Sequence, residues 1–434
     1  MSDEKKMVHL PDDCDFEDKW AAIEKTVARV LAAPGAGRAE LVAAERRVRS
    51  LCPQHFGTLY VRMYIHMAEH VVACRHRVEG GARFLTVEPH DGMLDRYAAE
   101  WTQYWRGLAA LDQLLVQFRL ELRSRRHNTN TRGDFEYKES RTVALEDSPW
   151  PQDLVDLGLG TWQHFMLWPL EGVLWPRVTA ALLAAGEGAP LVGERALRTA
   201  VDSALEVGRY EPARRRDAYR RWVLEPYLVA ARARHAAAAA APLRAGDVPR
   251  YMRRALAGQR RVRALAALCL PPAPGSRDAV LACYEKAAIA PHVARLQAEA
   301  AGLLAAAGQH PGSAIARDAL RNLYALLRPR GALRPVRDAA RAQLLAEGRR
   351  LLADLTDERE MPQRFVRSMA ALERKYRDLF ADVFKGEQAF MALHDEVCTG
   401  LVRSLEGARG EELLARYCDA LMRAPAGEGG PAGE

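Results

Sequence analysis

Residues 15–33 read DFEDKWAAIEKTVARVLAA, and their period decides the fold. Phe16, Trp20, Ile23, Val27, Val30 and Leu31 recur at steps of three and four, which gathers them on one face of a helix. Asp15 is placed to cap the first turn, with Asp18 three positions on. The pattern returns late in the chain at Phe365, Met369, Leu372, Tyr376, Leu379, Phe380 and Val383, again with charged residues opposite. Nowhere do five or six residues alternate apolar and polar between turn signals, so no strand is expected. The fold class is all-α.

Working outward, breakers divide the chain. Pro34-Gly35-Ala36-Gly37 ends the first helix and Pro53 the second. The polar run from His127 to Asp134 follows a helix containing Leu114, Leu115, Phe118 and Leu122. Ser148-Pro149-Trp150-Pro151 and Pro271-Pro272-Ala273-Pro274-Gly275 mark two further loops. Three blocks of about 120 to 140 residues result, each long enough for about five average helices. Stacked helical blocks bury one another's apolar faces as an elongated solenoid. No sequence repeat at about 33 to 45 residues accompanies them, so the repetition would be structural only.

Composition agrees with a folded chain. Of 434 residues 49% are hydrophobic, and 63 Lys+Arg against 56 Asp+Glu leave a net charge of +7, too apolar for a disordered chain. The 31 Gly and 23 Pro exclude a collagen-like class. No stretch nears the roughly 18 apolar residues of a membrane span, and the charged start MSDEKKMVHLPDDC lacks a signal core. A cytoplasmic and nuclear location is expected, without membrane contact. Seven cysteines without a CxxC pair argue for reduced thiols rather than a zinc ribbon. Only eight residues are lysine, so arginine supplies almost all the positive charge, as a GC-rich gene would produce.

The sharpest catalytic-looking string is His66-Met67-Ala68-Glu69-His70, which fits the inverted zinc-peptidase pattern H-x-x-E-H. Two histidines four apart on a helix could share a zinc, with Glu69 as base and Glu146 as a distant third ligand. Tyr60, Tyr64, Met67, Val71, Cys74 and Val78 form the apolar stripe of that helix, however, and leave the histidines at its edge. Edge histidines without a strand scaffold are the blander and preferred reading. No GxxxxGK[ST] loop is present, Gly158-Leu159-Gly160 lacks the third glycine of GxGxxG, and no G-x-S-x-G frames a serine. The clusters Arg123 to His127, Arg214 to Arg216 and Arg260 to Arg263 could bind nucleic acid, but acidic residues share their helices and no aromatics interleave. Solvated helix faces explain them better. No catalytic residue, metal or cofactor is expected.

Several segments resemble the N-terminal half of the cullins, scaffold proteins of multisubunit RING ubiquitin ligases. YRRWVLEPYLVAARARH from Tyr219 is similar to the cullin run Y-x-x-x-F-x-x-P-F-L, keeping Tyr219, Pro226 and Leu228. Tyr251-Met252 with Arg263 and Leu268, Ile289 with His292, Asn322 to Leu327, and Glu347-Gly348 continue in register. Phe365-Val366, Lys375-Tyr376, Phe384, Gly386, Phe390, Leu393 and Asp395 follow the pattern, and Leu413 to Asp419 resembles the short motif after the repeats. Trp20, Leu59-Tyr60, Trp101, and Trp162 with Pro169-Leu170 extend the match to the start. Glu360-Met361-Pro362 and Gly386 to Met391 look most like cullin-2, an elongin-using branch of the family.

The resemblance implies a stalk of three five-helix cullin repeats with no active site. The expected division is an N-terminal arm over 1–13, repeats over 14–148, 149–272 and 273–404, and a stub of the C-terminal region over 405–434. The first repeat would hold the adaptor through its second and fifth helices. On this sequence helix 2 runs from Arg38 to Cys52, turning Leu41, Ala44, Val48 and Leu51 inward and Val42, Glu45, Arg49 and Pro53 to the partner. Helix 5 would offer Leu115, Phe118, Arg119 and Leu122, and Met7 and Leu10 would form an apolar arm. The implied partners are elongin C and elongin B with a VHL-box or SOCS-box receptor, or another BTB-like adaptor. Glu45 and Arg49 stand where relatives carry bulky aromatics, and charges make poor buried anchors. The family's RING-binding half is absent from the sequence, so no RING protein is expected and a decoy that sequesters receptor modules is implied. Few lysines would also suit a subunit held near ubiquitin-transfer machinery.

Overall fold

The computed structural model describes residues 14–32, 38–80, 92–129, 154–189, 193–210, 217–270, 275–310, 312–353, 361–403 and 409–423. In chain order the helices are α1 (Cys14–Ala32), α2 (Arg38–Glu79), α3 (Met93–Leu114), α4 (Val116–Thr129), α5 (Leu154–Trp162), α6 (Glu171–Glu187), α7 (Glu194–Tyr210) and the single turn α8 (Asp217–Tyr219). They continue as α9 (Glu225–Arg244), α10 (Val248–Cys269), α11 (Ser276–Tyr284), α12 (Val293–Gln309), α13 (Ala314–Leu327), α14 (Arg334–Ala353), α15 (Met361–Val383), α16 (Gln388–Arg403) and α17 (Arg409–Arg423). No strand occurs among the described residues, and none of their helices is long and apolar enough to cross a membrane. The expected all-α class is the observed one.

The chain sorts into two compact units: Met1–Ala231 with Arg261–Leu281, and Arg232–Arg260 with Ala282–Glu434. In the first, Phe16, Trp20, Ile23, Val27, Val30 and Leu31 are all buried, as the period of α1 requires. That helix starts at Cys14, so Asp15 lies inside its first turn and pairs with Lys19 instead of preceding the helix as a cap. An acid there still suits the positive end of the helix. Gly107 of α3 marks the closest approach to α1: a Cβ would stand 3.0 Å from the Leu31 Cα and 3.0 Å from the Val30 carbonyl oxygen.

The core of this unit is aromatic. Trp162 stacks on Tyr104 at 4.8 Å and meets Trp101 edge-on at 5.3 Å. Its indole N–H donates to the Tyr97 hydroxyl at 3.2 Å, which lies 2.7 Å from Ser203 Oγ. Tyr104 O–H donates to the Gly158 carbonyl at 3.0 Å. The polar tips of Trp162, Tyr97 and Tyr104 therefore each have a partner, and α3, α5 and α7 are tied by hydrogen bonds as well as by ring packing. In the second unit Phe384 and Phe390 stack at 3.9 Å, with Phe380 and Tyr324 packed around them.

One expected helix end holds to within two residues and one moves. The span called α2 is two helices joined across a kink at His55, whose φ of −122° and ψ of 24° leave the helical region just after Pro53. Proline removes one ladder bond and crowds the carbonyl four residues back, which kinks a helix when the following turns have a core to rejoin. Phe56, Leu59, Tyr60 and Met63 supply it. Near the other boundary α4 continues to Thr129, into the run expected as loop from His127.

One local device recurs three times. Gln163–Leu167, Arg220–Leu224 and Glu285–Ile289 are π-helical, each entered from a buried aromatic, Trp162, Tyr219 or Tyr284. Each is followed two residues later by a proline, Pro169, Pro226 or Pro291. The residue before the proline donates to the carbonyl five back in every case: Trp168 to Gln163, Glu225 to Arg220, Ala290 to Glu285. A proline cannot bond the carbonyl four back, so the turn before it widens. At the first site the freed Phe165 carbonyl accepts from Arg75 Nη1 at 3.2 Å.

Candidate partner-binding surface

The partner-facing residues expected from sequence fall on α2 and α4 of the first unit. On the first half of α2, Ala44, Val48, Leu51 and Cys52 are buried, while Leu41 is half-buried. Val42 is 43% exposed, Arg49 and Pro53 are exposed, and Arg46 joins them. These four line the outer face of the helix.

Glu45 does something else. Its side chain is only 15% exposed, and Oε1 accepts the backbone N–H of Gln117 at 3.2 Å. Gln117 is the second residue of α4, so the carboxylate satisfies one of the orphan donors of that helix's first turn and sits at its positive end. Glu45 is therefore a cap held inside the unit, with Arg49 beside it at 3.6 Å. Sequence reading missed this because it missed the start of α4. Leu114-Leu115-Val116 contains no breaker, yet Leu115 leaves the helical region (φ −91°, ψ 56°). Arg119 Nη1 bridges the break to Asp112 Oδ2 at 3.0 Å.

The face assigned to α4 also needs correction. Leu115, Phe118 and Leu122 are at most 2% exposed, with Phe118 packed on Phe56 at 5.2 Å, so they build the core and present nothing outward. Their apolar spacing of three and then four residues is that of a core stripe. Of the four residues expected there, only Arg119 reaches solvent, and its outer neighbours are Leu120, 50% exposed, and Arg123. The outward surface of the first half of α2 and of α4 thus combines the apolar Val42, Pro53 and Leu120 with Arg46, Arg49, Arg119 and Arg123. Met7 and Leu10 lie outside the described residues.

The H-x-x-E-H string is absorbed by packing. Tyr60, Tyr64, Met67, Val71, Cys74 and Val78 are buried as the stripe predicts. His66 Nδ1 lies 3.2 Å from Glu24 of α1, and His70 stacks over Tyr104 at 6.1 Å. Burial, and then Arg77, push His70 down to about 4, so it is neutral at pH 7. Glu69 is exposed, Glu146 lies outside the described residues, and no group of three metal-ligating side chains assembles among those described. Of the basic clusters, Arg214 to Arg216 are also outside, whereas Arg260, Arg261 and Arg263 stand exposed around the buried Val262.

Packed helices tied by internal polar bonds, with a mixed apolar and basic outer face, define an all-α helical protein with a candidate interaction face. The model of one family, the Cullin alpha solenoid domain, matches residues 20–430. The chain belongs to the cullin family, whose members are scaffolds rather than catalytic enzymes and hold adaptor or substrate-receptor partners in ubiquitin ligases.

Proposed function

We propose that this chain is the scaffold of an elongin-type cullin ligase and that it takes up its adaptor on the outer face of α2 and α4. The observation that carries the reading is the exposure of Val42 and Leu120 on those two helices, which the Glu45–Gln117 contact joins. Apolar side chains near the middle of an interface contribute most of its affinity, while rim charges set partner choice and approach rate. Arg46, Arg49, Arg119 and Arg123 make the rim basic, which favours an adaptor with an acidic margin. The preferred adaptor is elongin C, bound with elongin B and a VHL-box or SOCS-box receptor; another BTB-like adaptor would use the same face. The division into three five-helix repeats over 14–148, 149–272 and 273–404 belongs to the same proposal.

The test is titration of the purified chain with elongin B/C by calorimetry. Binding at micromolar concentration, weakened at least about tenfold by Val42→Asp with Leu120→Asp, supports the proposal. Folded protein that shows no binding at that concentration sinks the elongin assignment.

A further inference from the structure

The second unit carries a basic cleft that is no part of the proposed adaptor face. It has a volume of about 490 Å³ and is lined by Arg260 of α10, Arg321, Asn322 and Arg328 at and just after α13, and Asp382 and Lys385 at the end of α15. Four cations and one acid face it. The acid is already committed: Asp382 accepts from Arg321 at 2.5 Å and from Arg317 at 3.3 Å, and the Arg321 hydrogen bond holds its carboxyl below the usual range. Arg321 also donates to Asp318 at 2.6 Å. Arg328 keeps only a long 3.9 Å contact with Glu387, whose Oε2 accepts the Tyr324 hydroxyl at 2.8 Å, and lies 5.7 Å over the Tyr324 ring. Arg260 and Lys385 make no ion pair among the described residues. Counting Arg317, Asp318 and Glu387, five cations against three acids leave the neighbourhood positive.

Lys385 adds an independent observation. It has φ 55°, the only positive φ among the described non-glycine residues, and it ends α15 where glycine or asparagine is usual. The glycine comes one position later, at Gly386. A side chain held in the left-handed region carries a steric cost, which is commonly tolerated where the side chain is needed. This is one of only eight lysines in the chain, and it stands on the rim of the cleft.

We propose that the cleft binds a phosphate group carried on a ligand. Arg260 and Arg328 supply guanidinium forks suited to a tetrahedral dianion, Lys385 a point charge, and Arg321, fixed by two carboxylates, a preset donor. The ligand would be either a small oligophosphate or a phosphorylated side chain of a partner protein.

The full chain is titrated at low salt with pyrophosphate and, separately, with an alanine-flanked phosphoserine peptide. Saturable binding is expected, weakened about tenfold or more by Arg260→Ala with Lys385→Ala, the loss expected for charge-assisted bonds. The exposed pair Arg364→Ala with Arg367→Ala, elsewhere on the unit, should leave it unchanged. Tighter binding of the peptide assigns a protein source, and tighter binding of pyrophosphate a small-molecule one. Lys385→Gly separates a ligand role from a structural one: it should raise Tm by about 2 °C through relief of the left-handed residue while weakening binding. No saturable binding of either probe, equal loss in the control pair, or undiminished binding in Lys385→Gly overturns the proposal.

Discussion

His394 and His70 respond to pH in opposite senses. His394 is buried with both ring nitrogens against acceptors: Nδ1 is 2.9 Å from the Asp395 carboxylate and Nε2 3.0 Å from the Glu373 carbonyl. A neutral imidazole donates from one nitrogen only, so the protonated ring fits both. Hydrogen bonding with Cys398, then with Asp395, lifts its pKa to about 9 against the opposing effect of burial. The folded value lies above the unfolded 6.5, so the stabilisation is complete below pH 6.5 and is lost as pH rises through 9. Thermal unfolding between about pH 6 and pH 9.5 should show wild type losing more stability than His394→Gln; parallel curves would contradict this. For His70 the folded value is lowered to about 4, so its contribution is present above 6.5 and lost as pH falls from there through 4. His70→Phe, which keeps the stack on Tyr104, should flatten the acid limb of the same curve. Glu45 gives a third residue-level expectation. Glu45→Ala should cost about 1 kcal/mol in urea unfolding through loss of the α4 cap, and Glu45→Gln, which keeps an acceptor, distinctly less.

At the scale of helices, the sequence announced apolar stripes well and breaks poorly. The periods of α1, α15 and the second half of α2 were legible because each is a sustained stripe, and every residue named for them is buried. The break at Leu115 was not, because tertiary packing rather than a proline or glycine makes it. The capping role of Glu45 and the inward turn of Leu115, Phe118 and Leu122 followed from that one missed boundary. The π turns had a signal that went unread: an aromatic, six residues, then proline, at Trp162, Tyr219 and Tyr284. Tyr219 with Pro226, and Trp162 with Pro169, were noticed only as points of family resemblance. Their physical content is a widened turn before each proline. Where α3 crosses α1, Gly107→Ala should destabilise by about 1 to 3 kcal/mol, since the added Cβ meets backbone that cannot rotate away. A change under about 0.5 kcal/mol in urea unfolding would show that the two helices separate easily.

For the whole molecule, the all-α class was legible because a period repeated over hundreds of residues averages out local errors, and the family through segments that resemble cullin motifs along nearly the whole chain. The outward face of α2 and α4 was legible only in part. Val42, Arg49 and Pro53 were placed outward correctly, while four of the expected contacts are committed to the unit's own cap and core. Leu120 and Arg123 are exposed side chains of α4 beside Arg119, and only the observed rotation of α4 reveals it. The proposed engagement of a BTB-like adaptor runs through the outer face of α2 and α4. Its most direct measurement is affinity purification from cells with mass spectrometry, comparing wild type with the Val42→Asp, Leu120→Asp variant at matched thermal stability. The expected result is enrichment of elongin C, with elongin B, by wild type and its loss in the variant. Folded wild type that enriches no BTB-like adaptor, or a variant that enriches it equally, would contradict the account.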